Sequence, residues 1–217
     1  MSLNIKSLII ILVLTGFLIS CSKETIQSDS QNPNLFYPCQ SCAYYPWCDQ
    51  SSYVYIDSTG NIEETVEYDY RELGDSIINN VSYTSSLINY SFDTAFHLCD
   101  QNQTTVIYPD GNGQLLKYTL LKSDEPTGST WRDSFPGNNS LHHIDYTLMA
   151  KSFNWRVGNY FFYDVINVKE KIYKINPADT ITNSCFYARN VGLVEKITKD
   201  KNGFQTYHRV LSSYSFQ

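Results

Sequence analysis

Val66, Tyr68 and Tyr70 alternate with Glu67, Asp69 and Arg71. A period of two puts every second side chain on one face of an extended chain, so this stretch predicts a strand with one apolar face. Gly74-Asp75 then reads as a turn. Leu116, Tyr118 and Leu120 alternate with Lys117 and Thr119, after turn residues at Asp110-Gly111-Asn112-Gly113. Ile144, Tyr146, Leu148 and Ala150 alternate with His143, Asp145 and Thr147. Residues 161–168 form a denser apolar run, the pattern of a central strand covered on both faces. Residues 185–188 and 193–197 flank the turn Asn190-Val191-Gly192. Lys201-Asn202-Gly203 leads into a last strand over 204–216. No amphipathic helix of three turns and no fixed-period repeat is legible. The predicted fold class is all-β: a mostly antiparallel sheet forming a barrel, half-barrel or sandwich, as one domain over residues 51–217.

Composition agrees with sheet. The 217 residues include 18 Tyr and 11 Phe, and bulky aromatics suit a pleated surface. The 16 Lys+Arg stand against 22 Asp+Glu, so a nucleic-acid binder with a basic footprint is excluded.

The N-terminus has its own grammar. Lys6 precedes an apolar run over residues 8–19. The run is shorter than the ~20 residues a membrane-spanning helix needs, so it predicts a secretion signal. It ends in Leu18-Ile19-Ser20-Cys21, which resembles the bacterial lipobox. The resemblance implies a signal peptide over 1–20, cleavage after Ser20, and acylation of Cys21. Two or three acyl chains on one cysteine hold a protein stably on a membrane. Cleavage removes Lys6 and takes the formal net charge from −6 to −7. Ser22 stands where enterobacterial lipoproteins kept at the inner membrane carry Asp. The resemblance therefore points to the outer membrane of a Gram-negative bacterium. Residues 21–36 are polar and aperiodic and predict a lipidated, flexible tether. Residues 37–50, with three Cys, predict a compact stapled segment.

The stretch Phe186-Tyr187-Ala188-Arg189-Asn190-Val191-Gly192-Leu193-Val194 resembles a Y-A-x-x-V-G-L-V strand–turn–strand of uncharacterised lipoproteins of the Bacteroidota. Those resemble, more distantly, the half-barrels of Lol-type lipoprotein carriers. The motif is hydrophobic and structural, so the resemblance implies a fold and a compartment and carries over no catalytic residue.

Cys39, Cys42, Cys48, Cys99 and Cys185 remain once Cys21 is lipidated. In an oxidising envelope they are disulfide candidates, and an odd number leaves one thiol over. A bridge within 39–48 would staple a segment with little apolar bulk. A Cys99–Cys185 bridge would tie distant strands and contribute roughly 2–5 kcal/mol. Cys39-Gln40-Ser41-Cys42 lacks the βαβ context of a redox motif and the His of a haem attachment site. Zinc on Cys39, Cys42 and Cys48 is disfavoured by the compartment.

No nucleophile elbow, phosphate loop, dinucleotide fingerprint or His-Glu-x-x-His is present. Glu63-Glu64-x-x-Glu67 reads as a solvated edge and Asp110-x-Asn112 as a turn rather than a calcium loop. His143 and Asp145 share one strand face and, with His208, are the candidates for a metal site or a base–orienter pair. The bland alternative places them on a wet face. Asp-[Ser/Thr]-[small or aliphatic] recurs with Ser58, Ser76, Thr94 and Thr180 as its hydroxyl residues. This resembles the O-glycosylation motif of Bacteroidota; turn chemistry is the alternative.

Two functional expectations follow. One is a non-catalytic envelope lipoprotein whose aromatic sheet binds an apolar ligand or an envelope partner, with no cofactor and with the membrane reached through the lipid anchor. The other is a metal- or carboxylate-dependent hydrolase of envelope glycan or lipid using His143, Asp145 and His208.

Overall fold

The structure, a computed structural model, describes residues 43–88, 94–100, 103–110, 113–136, 141–176 and 179–216. The described strands are β1 (Ser52–Thr59), β2 (Ile62–Ile78), β3 (Val81–Ile88), β4 (Thr94–Asp100), β5 (Gln103–Pro109), β6 (Leu115–Lys122), β7 (Thr130–Ser134), β8 (Leu141–Val157), β9 (Tyr160–Lys174), β10 (Ile181–Ala188), β11 (Gly192–Lys199) and β12 (Gln205–Ser215). They form one sheet in the order β6-β5-β4-β3-β2-β1-β12-β11-β10-β9-β8-β7. Each strand pairs antiparallel with its successor, except at β6–β7, and β1 pairs with β12. The fold is therefore an up-and-down meander, nearly closed into a barrel, in which the first and last strands are stitched together and the break falls in mid-chain. The all-β antiparallel expectation holds, in its barrel form.

At the break, side chains replace the backbone ladder. Trp131 on β7 donates its indole N–H to the Thr119 carbonyl on β6 at 2.6 Å. The Thr119 amide and hydroxyl donate to the two carboxylate oxygens of Asp133, at 2.6 and 3.2 Å.

Gly74-Asp75 is not a turn. It lies inside β2, where the register with β3 shifts between Glu72 and Gly74. Gly74 has φ +99°, a conformation that glycine takes without a Cβ clash, and the bulge it makes bends the strand. The bend lets β2 serve two partners, β1 through 62–69 and β3 through 70–78. The chain reverses instead at Asn79-Asn80, both with positive φ, as a two-residue hairpin turn requires.

Two apolar clusters fill the barrel wall and its interior. One holds Tyr44, Tyr146, Leu148, Ile166, Val168 and Tyr187; the other holds Tyr53, Tyr55, Phe162, Val165, Phe186 and Leu211. Strands β9 and β10 give residues to both clusters, which accounts for their dense apolar runs, although Phe161 and Tyr163 stay exposed. Ile144, Tyr146 and Leu148 are buried as their alternation predicts. On β6 the alternation slips: Leu116, Thr119 and Leu121 are the buried residues, opposite a register shift at Thr104/Thr105. Residues 43–50 also pack against the barrel. Tyr44 is buried in the first cluster and donates to Asp164 at 2.8 Å, and the Ala43 carbonyl accepts from the Asn190 amide.

Candidate functional site: a tyrosine-lined cavity

Alternation along β1 puts Tyr53, Tyr55 and Asp57 on one face, and all three are buried. Tyr68 and Tyr70 on β2 and Arg209 on β12 reach the same space, joined by Tyr45 from the segment before β1 and Tyr108 from β5. Together these residues line a cavity of about 260 Å³ with six tyrosines and one arginine.

The one charged residue of the lining, Arg209, is held in an ion pair. Asp57 and Arg209 are direct partners in the β1–β12 register. Arg209 donates through Nε to Oδ1 at 2.7 Å and through Nη2 to Oδ2 at 2.6 Å. Its Nη2 also donates to the Tyr68 hydroxyl at 2.7 Å. The guanidinium carbon lies 5.1 Å from the Tyr55 ring centre and 4.9 Å from that of Tyr68, cation–π distances for a group that π faces hold well. Burial pushes the Asp57 carboxyl up, but the hydrogen bonds and charge of Arg209 outweigh burial and hold it below the usual carboxylate range. The pair stays ionised and nearly charge-neutral as a unit.

The walls are neutral phenols. Burial raises Tyr45, Tyr53, Tyr55 and Tyr70 well above the ordinary phenol value, so none of these four serves as a base near neutral pH. Two hydroxyls are spent on backbone: Tyr53 donates to the Pro46 carbonyl and Tyr55 to the Leu193 carbonyl, each at 3.0 Å. Tyr53 meets Tyr70 edge-on at 5.8 Å, and Tyr55 meets Tyr68 edge-on at 5.7 Å. Such pairs hold one another's ring planes and stiffen the cavity. The result is an aromatic surface with a few fixed hydroxyls. It suits a ligand with an apolar body and a polar end.

Beside the cavity is a second buried polar pair. His97 on β4 lies 2.7 Å through Nε2 from the Ser86 hydroxyl on β3, and its ring stacks on Trp47 at 4.6 Å. Burial lowers the His97 pKa to about 4, and its Nδ1 has no hydrogen-bond partner.

The residues singled out from the sequence are dispersed. His143 and Asp145 are neighbours on β8, 4.0 Å apart, but Asp145 is clamped by Arg132 at 2.5 and 2.8 Å and His143 stacks on Tyr173 at 4.2 Å. His208 on β12 is bonded instead to Glu195 at 2.7 Å. Three strands separate β12 from β8, so His208 lies on the order of 19 Å from the other two along the sheet. The structure does not bring the three together. No group of three or more metal-ligating side chains occurs among the described residues.

Cys185 is a free thiol with 1% exposure in the first core cluster, whereas Cys99 on β4 is exposed. Of the pairings open to the five cysteines, a Cys99–Cys185 bridge is therefore not formed. Cys21, Cys39 and Cys42 lie outside the described residues. Ser58, Ser76 and Thr94 sit within strands and Thr180 directly before β10, all half-buried, rather than in the turns that their sequence suggested. The Asp57 before Ser58 is committed to Arg209.

Sequence reasoning missed the Asp57–Arg209 pair and the cavity beside it. The signal was present: Tyr53, Tyr55 and Asp57 repeat at a period of two, and so do Tyr207, Arg209 and Leu211. Nothing in the sequence paired one run with the other.

No protein-family profile matches the chain, and no curated protein matches it in sequence. Solved structures do match in fold. A protein with a YmcC-like fold from Bacteroides fragilis, inferred to be exported, superposes over 81% of this chain and 100% of its own with a TM-score of 0.52 at 12% identity. A protein from Parabacteroides distasonis, inferred to be a lipoprotein, covers 81% of this chain and 99% of its own with a TM-score of 0.43 at 14% identity.

Proposed function

We propose that this chain is a lipid-anchored protein of the bacterial cell envelope that binds an amphipathic ligand in the tyrosine-lined cavity without transforming it. The observation that carries the reading is the cavity itself, lined by six tyrosines and by an Arg209 whose charge Asp57 neutralises. Neutral phenols offer π faces and hydroxyls but no general base, and the ion pair leaves no free nucleophile. The anchor is Cys21, in the lipobox-like Leu18-Ile19-Ser20-Cys21, and the compartment is the outer membrane. Two features support an envelope location: the signal-like N-terminus and the inferred export of the Bacteroides fragilis fold neighbour.

The test is to fill the cavity. Ile88 lines it and is half-buried, so Ile88→Trp occupies its volume. Purified full-length protein is titrated with a fluorescent single-chain amphiphile. One saturable site in wild type, lost in Ile88→Trp with circular dichroism unchanged, is the expected result. Equal binding by both proteins overturns the reading. Detergent phase partitioning of wild type and Cys21→Ser tests the anchor, and equal partitioning refutes it.

A further inference from the structure

A second concavity lies on β7–β9, away from the tyrosines. It has a volume of about 450 Å³ and is lined by Thr130, Arg132, Asp145, Thr147, Lys169 and Lys171, with Trp131 and Tyr146 behind them. Strand register explains how these polar residues meet. Thr130 faces Thr147 and Arg132 faces Asp145 across β7–β8, and β8 in turn sets Thr147 opposite Lys169 and Asp145 opposite Lys171. Two alternate rungs over three strands, with Trp131, Tyr146 and Glu170 on the rung between them, thus project one set of side chains. They carry three cations and one carboxylate, a local charge of +2 on a chain whose formal net charge is −6.

The one carboxylate is already spent. Both Asp145 oxygens accept from Arg132, through Nε and Nη2. The guanidinium, charged and five-donor, is fixed in one plane by that fork and keeps N–H donors for a further acceptor. Lys169 and Lys171 are exposed and have no ion-pair partner among the described residues. Lys171 is steered by the Tyr173 ring, whose centre lies 4.8 Å from its ammonium.

We infer that this groove is a binding site for a phosphate-class oxyanion. The local charge complements the −1.5 to −2 of a phosphomonoester at neutral pH. A planar arginine donor, two ammonium groups and two threonine hydroxyls form the donor set that tetrahedral oxyanions take. A concave site of net positive charge also concentrates anions above their bulk level. The inference is independent of the tyrosine cavity, because the two sites have no lining residue in common.

Trp131 lies behind the groove with its ring in the core, and Trp131→Phe identifies its share of any emission change. The full chain carrying Cys21→Ser, which removes acyl anchoring as a confounder, is titrated with inorganic phosphate and with glycerol phosphate while tryptophan emission is followed. It is also floated with vesicles of phosphatidylglycerol and with vesicles of phosphatidylcholine. The expected result is saturable binding of a phosphate species that Lys169→Gln/Lys171→Gln weakens at least 10-fold, with the circular dichroism spectrum and amphiphile binding by the tyrosine cavity unchanged. Glycerol phosphate binding together with flotation on the anionic vesicles alone assigns a lipid headgroup. Binding of the soluble anions without flotation assigns a free phosphate ligand. The inference is overturned if no phosphate species binds, if chloride at equal ionic strength produces the same response, or if the double variant binds as wild type does.

Discussion

Asp57 and Arg209 face each other across the junction of β1 and β12, with both carboxylate oxygens bonded to the guanidinium. One pair thereby does two things. It joins the first strand of the meander to the last, 152 positions apart in sequence, and it fixes the arginine that lines the tyrosine cavity. The contact that completes the fold also neutralises the site.

Removing one partner strands the other. Asp57→Ala leaves Arg209 with its guanidinium largely out of water and is expected to cost about 3–5 kcal/mol. Asp57→Leu with Arg209→Met is expected to cost less than Asp57→Ala alone, because no orphan charge remains. The pair also has a pH signature. The Asp57 pKa is depressed in the fold, so its contribution is present above the unfolded value of ~3.9 and is lost as pH falls through the lower folded value. Urea unfolding between pH 5 and pH 2 should show this acid loss in wild type and a shallower one in Asp57→Asn. Parallel pH profiles would refute the assignment.

His97 loses stability in the same direction for a different reason. Burial favours its neutral ring and lowers its pKa to about 4, against ~6.5 unfolded. The unfolded chain therefore binds the extra proton first. Stability is full above about pH 6.5, declines as pH falls towards 4, and levels off below it, for a total loss on the order of 3 kcal/mol. His97→Phe keeps a ring against Trp47 but has nothing to titrate, and it leaves the buried Ser86 hydroxyl without its partner. It should be less stable than wild type at pH 7.5 by about 1–2 kcal/mol and lose less between pH 7 and pH 4. Denaturant midpoints at the two pH values check both statements.

The strands were legible because burial of one sheet face writes itself as a period of two, and Ile144-Tyr146-Leu148 follows that period closely. Gly74 was misread because glycine marks bulges and turns alike, and only the partner strands on either side distinguish them. The cavity was not legible for a different reason. It is assembled from β1, β2, β3, β5, β11 and β12, and pairings of that separation leave no local trace. His143 and Asp145 illustrate the converse. Two residues apart on one strand, they looked like half a site, but the side chains that claim them are Arg132 and Tyr173, on neighbouring strands.

Cys185 should be silent in the native protein. Burial pushes its thiol well above the ordinary cysteine value, and a buried thiol presents neither a thiolate nor a path to it. Iodoacetamide at pH 8 without reductant is expected to leave Cys185 unmodified in buffer and to alkylate it in concentrated urea. Peptide mapping locates the label. Modification of Cys185 in the folded protein at a rate near that in urea would show that β10 opens, contrary to its place in the core.

The mid-chain break makes the barrel's last prediction. Between β6 and β7 the strand ladder is replaced by Trp131, Asp133 and Thr119, so closure there depends on three hydrogen bonds rather than on a register. Trp131→Phe preserves most of the ring that stacks on Tyr146 at 5.3 Å but loses the indole donor, and about 1 kcal/mol is expected from the lost bond. Asp133→Ala is the sharper change, because it removes the acceptor of the Thr119 amide. That amide should then exchange with deuterium at least 10-fold faster than in wild type. Val165 and Ile166 on β9, inside the ladder, should change only by the variant's global loss of stability. Hydrogen exchange resolved by NMR distinguishes the two classes of amide. A uniform acceleration across all strands would mean that the seam opens only when the whole barrel unfolds; acceleration confined to β6 and β7 would mark it as the barrel's independently opening edge.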